Sequence, residues 1–476
     1  MSSPVSRSAE IRQGLDHPVI DADGHWLEPV PIFLDFLDEE GGPQAVDVYR
    51  RRTQQQARWY DVGPGERARL RIPRGSWWTE AGGTLDRATA MLPGLMYERL
   101  DDFGVDFALV YPTLGLITQS LTDDIRQVSC RALNRMNAEL FAPYSDRMTP
   151  VATVPVWSPE EAVEEVTFAV RQLGMRAIMI SGRVKRRASG DPAVTYIDTL
   201  GLNNDQDYDP FWEKCVELGV AITDHGGSGG WPDRQSTDNY VFNHLGHFAE
   251  SQHAGCRAIF LGGVTRRFPT LNFGFLEGGV GWACQLMFDL VGHFERRSVT
   301  ALREVLRPSN IDQEEFRSFY DKYAGPRMAG RADAVLASIS CVTPFLDARA
   351  LSDREGDISN EFALSGIESA EQLVEEFRRN FYFGCESDDV MAAIAFDRRM
   401  GAFLKPIFSS DIGHFDVADM TSVLYEAWEL VEHGLIDQDD FKQFTFANVA
   451  RLHTGNNPQF FEGTVVEQAV AELLDR

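Results

Sequence analysis

Short apolar runs alternate with amphipathic segments along most of this 476-residue chain. The runs are VIDAD (19–23), VDFALVY (105–111), MTPVATVPVW (148–157), MRAIMIS (175–181), VAITDHGG (220–227), LNFGFLEGG (271–279), NFYFGCESDD (380–389) and LKPIFSSDIGH (404–414). They predict eight core strands, near residues 19, 106, 150, 176, 220, 272, 381 and 405. Helical patterns separate most of them, within 117–144, over 158–174 and 211–219, and across 241–254. In the second of these, Ser158 supplies a cap, Pro159 the first helical position, and Glu160 and Glu161 an acidic first turn. Short buried strands joined by helices require parallel pairing, because each crossover must cover a face of the sheet. Eight such units favour an α/β fold of the distorted (β/α)8 TIM-barrel type over an open doubly wound sheet.

Interruptions of the pattern mark the expected additions to one barrel domain spanning 18–476. Residues 1–17 read as a polar leader. Residues 35–95 hold GGPQ, RRTQQQ, GPG, PRG and AGG, breakers that predict an irregular insertion after the first strand. The polar stretch 182–210 reads as a loop above strand four, and 295–379 as a helical insertion before strand seven. The tail QFFEGTVVEQAVAELLDR reads as a closing helix.

Composition narrows the possible partners. Hydrophobic residues make up 43% of the chain, enough for a large core, and the net charge is -27. Such a field repels phosphate backbones and anionic lipid, so neither nucleic acid nor a membrane surface is an expected partner. The six cysteines are scattered without a Cys-x-x-Cys pair, which argues against a disulfide scaffold or a thiolate metal knot. No apolar leader precedes the first strand, so the expectation is a soluble, cytoplasmic protein acting on a small molecule. The large helical insertion makes a homo-oligomer, a dimer for preference, the expected assembly.

Polar groups gather where the apolar runs end. Asp23 and His25 are two apart and project to one side of an extended backbone. His225 ends VAITDH, Glu277 ends LNFGFLE, and Asp411 ends PIFSSD with His414 three residues on. Taken singly, each reads equally as a cap, a turn or a surface pair; taken together, they match the rim where barrel enzymes keep their sites. A divalent cation explains the set, because it supplies partners for buried imidazoles and carboxylates that are otherwise costly. Asp23, His25, His225 and Asp411 are the expected ligands of one ion. Mixed nitrogen and oxygen donors suit zinc, the favoured ion, or manganese or iron(II). Asp411, Glu277 and His414 are the candidate catalytic groups. Trp26, Trp231 and Trp282 lie near the same ends and suggest an aromatic pocket wall, and Arg126 or Arg266 are candidate partners for an anionic ligand.

The stretches VIDADGHWLEP (19–29), VYPTLG (110–115), DPFWEKCVELGVAITDHGG (209–227), GGVTRRFPTLNFGFLEGGVGW (262–282), FYFGCESDD (381–389), FSSDIGH (408–414) and FANVARLHTGNNPQFFEGT (446–464) give the chain a specific resemblance. It resembles the amidohydrolase superfamily, in particular the amidohydrolase-related branch that includes aminocarboxymuconate semialdehyde decarboxylase and the dihydroxybenzoate-type decarboxylases. The resemblance implies a metal-binding acid-x-His pair at Asp23 and His25, a ligand after strand five at His225, and a metal-binding, proton-moving acid at Asp411. Many members carry a catalytic His after strand six, where this chain has Glu277. That departure weakens direct transfer of a decarboxylase mechanism relying on the His. The first expectation is therefore a metal-dependent hydrolase of a small, hydrophobic or aromatic substrate, with Asp411 accepting a proton from metal-bound water. In that scheme Glu277 orients the water, assists proton transfer or binds the substrate, and His414 contacts the ligand or a neighbouring site group. The alternatives are non-oxidative decarboxylation of an aromatic or unsaturated acid, and a metal-binding barrel without turnover.

Overall fold

The computed structural model describes residues 5–75, 83–119, 121, 125–304, 310–338, 360–414 and 417–475. Eight parallel strands form one sheet in the order β1 (Ile20–Trp26), β2 (Phe107–Pro112), β3 (Met148–Thr153), β4 (Ala177–Ile180), β5 (Ile222–Asp224), β6 (Phe273–Phe275), β7 (Phe381–Cys385) and β8 (Pro406–Phe408). Each strand pairs with the next in sequence, from Ile20 opposite Phe107 to Phe408 opposite Cys385. All eight expected strands are present, and the helices between them force the parallel pairing. The helix Pro159–Arg171 begins as its sequence requires, with the Ser158 hydroxyl accepting the Glu161 N–H.

The barrel is nearly closed. β1 and β8 share no ladder, but Asp411 N–H donates to the Asp23 carbonyl at 3.0 Å and His25 N–H to the Ile412 carbonyl at 2.6 Å. The Asp21 carboxylate adds a side-chain tie, accepting the Ser410 N–H at 2.9 Å and its hydroxyl at 2.5 Å. The interior is filled by inward residues such as Ile20, Leu109, Val151, Met179 and Ile407, with Phe446, Phe460 and Phe461 from the C-terminal segment packed into the same cluster. This plug leaves the opposite rim, where the strands end, for chemistry.

The structure corrects three expectations. Residues 35–95 are largely helical, not irregular: Val30–Asp61 runs as a helix broken at Gly42 (φ 70, ψ 179), and Pro64–Leu70, Thr84–Met91 and Pro93–Phe103 follow. Pro43 stops one helical run and opens the next, a first-turn role that a breaker count misses. Phe33 and Leu37 before the break, and Ala45 and Tyr49 after it, are buried at four-residue spacing. The stretch 182–210 is not simply a loop, because Val184–Arg187 and Thr195–Asp198 form an antiparallel ribbon held by an Arg186–Asp198 ion pair. The polar leader contains a helix, Arg7–Gly14, capped by Ser6 and tied to the barrel by Arg12 on Asp106.

The chain divides into two compact units, Met1–Leu286 with Glu376–Arg476, and Met287–Glu375. The second holds the helices Val299–Glu304, Gln313–Tyr323 and Ala332–Ala337 and an Arg297–Glu361 pair at 2.6 Å. Among the described residues, no helix is long and apolar enough to cross a membrane.

Candidate active site

The ladders carry each candidate side chain to the same rim. His225 N–H still donates to the Ile180 carbonyl (3.0 Å), and Leu276 N–H to the Asp224 carbonyl (3.1 Å), so His225 and Glu277 are the first side chains freed beyond β5 and β6. Asp23 lies within a register shift of β1 between Asp21 and Gly24, and His25 just beyond it. Asp411 is fixed by the backbone bond to Asp23.

Their donor atoms converge. His25 Nε2 and His225 Nε2 are 2.9 Å apart, and Asp23 Oδ1 lies 3.3 Å from each. Asp411 Oδ1 is 3.6 Å from His25 Nε2, and Glu277 Oε2 is 3.5 Å from His225 Nε2. One ligand atom from each of Asp23, His25, His225 and Glu277 fits within a 4.8 Å span, as does one from each of His25, Glu277, Asp411 and His414. His414 Nδ1 meets Asp411 Oδ1 at 2.7 Å and its Nε2 meets Thr113 Oγ1 at 3.0 Å, while the ring stacks on His25 with centroids 3.9 Å apart. His414 is thus placed to orient Asp411.

The electrostatics favour a cation here. Burial pushes the Asp23 carboxyl upward, but the imidazoles of His225 and His25 outweigh it and hold the group at about 2. Burial pulls His25 down, and burial with the neighbouring His25 and His225 pulls His414 well below the usual imidazole range. Asp23 is thus biased toward its ionised form, and His25 and His414 toward their neutral forms, the protonation states that metal binding needs. Neither Asp23 oxygen meets a donor in hydrogen-bond geometry, although both are buried. An orphaned buried carboxylate is expensive, and a divalent ion among these donors removes the cost. The residues present therefore fit a single divalent metal site.

A cavity of about 390 Å³ opens over this cluster, with His225, Glu277 and His414 in its wall. Leu116, Ile117, Tyr240 and Phe248 give it apolar surface, and Arg183 and His247 give it polar groups. The segment after the long broken helix forms part of the rim: Pro73 and Arg74 line the cavity, and Arg74 N–H donates to the Ser236 carbonyl at 2.8 Å. Trp59, clasped between Arg67 (3.5 Å) and Arg74 (3.9 Å), donates its indole N–H to Thr237.

Several expectations about the wall need correction. Among the described residues, none of Trp26, Trp231 and Trp282 lines the cavity. Trp26 packs on Phe141, and Trp282 on Phe275 and Phe383, because their large apolar faces are satisfied inside the core. Arg126 is spent on Glu161 at 2.6 Å, and Arg266 lies exposed on a short helix, so neither reaches the cavity. The cationic wall residues are instead Arg74, Arg183 and Arg234. A Cβ at Gly226 would fall 2.7 Å from Arg183 Nη1, so that glycine leaves the guanidinium room.

Comparison with known proteins agrees with the architecture and the motif order. Residues 20–304 match the family model described as Amidohydrolase. The chain belongs to the amidohydrolase family. A 148-residue stretch of this amidohydrolase is 28% identical to the 2-amino-3-carboxymuconate-6-semialdehyde decarboxylase of Dictyostelium discoideum, covering 31% of this chain. The match spans little more than a third, 36%, of that relative's length. Among solved structures, it resembles an amidohydrolase from Mycobacterium avium subsp. paratuberculosis K-10 (TM-score 0.54, 17% identity, 92% of this chain and 99% of that chain). It also resembles a dihydroxybenzoic acid decarboxylase from Polaromonas sp. JS666, solved with manganese and 2-nitroresorcinol (TM-score 0.52, 15% identity, 94% and 99%). At these identities the structural likeness is one of fold. The amidohydrolase thus combines the family's barrel with a glutamate after β6.

Proposed function

We propose that this amidohydrolase is a metal-dependent, non-oxidative decarboxylase of an aromatic or unsaturated carboxylic acid. The observation that carries the reading is a pair of overlapping donor sets beneath an open cavity, Asp23, His25, His225 and Glu277 in one and His25, Glu277, Asp411 and His414 in the other. The similarity to a semialdehyde decarboxylase supports it and moves it ahead of the hydrolase that the glutamate alone suggests. Asp23, His25, His225 and Asp411 would hold the ion. With Glu277 beside them the donors number more than the four of a closed tetrahedral zinc site, and three of the five are carboxylates, which favours six-coordinate manganese over zinc. A bound divalent ion supplies positive charge for a substrate carboxylate and a neighbouring oxygen.

The protein's own groups perform the rest. The apolar cavity wall holds the ring or the conjugated chain and thins the water around the reacting carbon. Asp411, oriented by His414, delivers a proton to that carbon as its bond to the carboxylate breaks. The electron pair of the broken bond becomes the new C–H bond, and carbon dioxide leaves. Glu277, at the rim of the same cluster, restricts how the substrate enters it. The test is to supply manganese-loaded protein with hydroxybenzoates and unsaturated acids in ¹⁸O water. Carbon dioxide release without label in the remaining product is expected; ¹⁸O incorporation with the carboxylate retained would mark a hydrolase instead.

A further inference from the structure

His414 is held from three directions. Its ring stacks on His25 with centroids 3.9 Å apart and planes 24° from parallel, its Nδ1 lies 2.7 Å from Asp411 Oδ1, and its Nε2 lies 3.0 Å from the Thr113 hydroxyl. The stack sets the plane of the ring, and the other two contacts set which nitrogen faces which neighbour. Two lone pairs do not settle 2.7 Å apart, so Nδ1 carries the hydrogen that faces the carboxylate. In the neutral imidazole Nε2 is then an acceptor, and the Thr113 O–H donates to it.

Thr113 is itself pinned. It opens the helix Thr113–Thr118 directly after β2, and the residue before it, Pro112, has no side-chain oxygen to cap that helix. The carboxyl of Glu28, from the segment following β1, serves instead, its Oε2 accepting the Leu114 N–H at 3.0 Å. Glu28 is buried, and burial pushes its carboxyl up to about 8, against the opposing hydrogen bonds of the Leu114, Glu28 and Thr113 backbone. A carboxyl buried this deeply is costly, and what its bond holds is the turn that carries Thr113. Among the described residues, neither Thr113 nor Glu28 belongs to the metal-donor sets or to the cavity wall, so the link from both to Asp411 runs through the His414 ring.

We infer that Thr113 is a positioning residue: its hydroxyl, held in place by Glu28, locks His414 with the Nδ1 hydrogen toward Asp411 and so aims that carboxylate for proton transfer. The use of Asp411 as proton donor rests on the decarboxylase reading, whereas the lock on the ring does not.

The test has two arms. The first is ¹⁵N-histidine NMR of the full chain loaded with diamagnetic zinc, with the His414 signals assigned by their loss in His414→Gln. Wild type is expected to show a protonated Nδ1 and a bare, hydrogen-bonded Nε2. In Thr113→Val, which keeps the shape and drops the hydroxyl, the Nε2 resonance moves to that of an unbonded nitrogen, and Thr113→Ser returns it. A hydrogen on Nε2 in wild type, or a Thr113→Val protein with the wild-type resonance, overturns the inference. The second arm is carbon dioxide release by the manganese-loaded enzyme. Thr113→Val is expected to lower kcat about tenfold with KM and bound manganese within about twofold of wild type, and Thr113→Ser to restore it. In a His414→Gln background the same substitution changes kcat by less than about twofold, because its effect passes through that ring. A loss that persists in that background, or that Ser does not repair, marks a packing role and overturns the inference. If Thr113→Val does not fold, Thr113→Ala takes its place in both arms. A wild type that releases no carbon dioxide sinks the decarboxylase reading alone, and the ring-nitrogen signals still decide whether Thr113 locks His414.

Discussion

Glu277 and Asp411 both adopt left-handed backbone angles, φ 60 and φ 55, where a residue other than glycine costs on the order of 1–3 kcal/mol. The neighbouring ladders hold them there, and the strain turns each carboxylate toward the cluster instead of along the strand. Replacing Asp411 with Asn keeps a side chain that tolerates this backbone and retains one oxygen donor. Asp411→Asn is therefore expected to fold and to retain much of its metal, while carbon dioxide release falls by about a hundredfold or more. Metal analysis beside a turnover assay checks both halves; wild-type turnover would remove Asp411 from proton transfer. Strand-end polarity made Asp23, His25, His225, Glu277 and Asp411 legible as a group before any coordinates. Arg183 was not legible, because its neighbours Ser251 and Trp231 arrive from distant parts of the chain and its own surroundings read as loop.

The loop after β8 depends on a close backbone approach. Gly413 sits at φ 99, and a Cβ there would fall 1.9 Å from the His25 carbonyl oxygen. Gly401 also has a positive φ, 71, but open space around it. Gly401→Ala is expected to cost about 1–2 kcal/mol, the left-handed penalty alone. Gly413→Ala adds a clash worth roughly 1–3 kcal/mol and pushes Asp411 and His414 away from β1, so it also lowers bound metal. Thermal denaturation with metal analysis separates the two; equal losses would show that the contact with β1 carries no weight. All eight strands could be read from the sequence because most are short, largely apolar runs ending in polar residues, and β1 shows the alternation of a strand instead. The helices within 35–95 could not, since Gly42 and Pro43 break one element and start another and composition cannot tell a kink from a loop.

Across the barrel, the cluster links ion binding to folding. Asp23 and His25 come from β1 and Asp411 follows β8, so an ion held by all three binds the folded chain and not the unfolded one. Added manganese at about a hundredfold its dissociation constant is expected to stabilise the protein by roughly 2.7 kcal/mol, and chelation to lower its Tm. The double substitution Asp23→Ala with His25→Ala should abolish that metal-dependent shift in Tm, and an unchanged shift would place the ion elsewhere. The seam adds a temporal consequence. The tie between Asp21 and Ser410 joins residues 389 positions apart, next to the same cluster. During synthesis, the first strand must leave the ribosome and wait for nearly the whole polypeptide before its last neighbour emerges. A product that stops before β8 therefore carries Asp23, His25 and His225 without Asp411, so the proposed ligand set is completed only once nearly the whole chain is made.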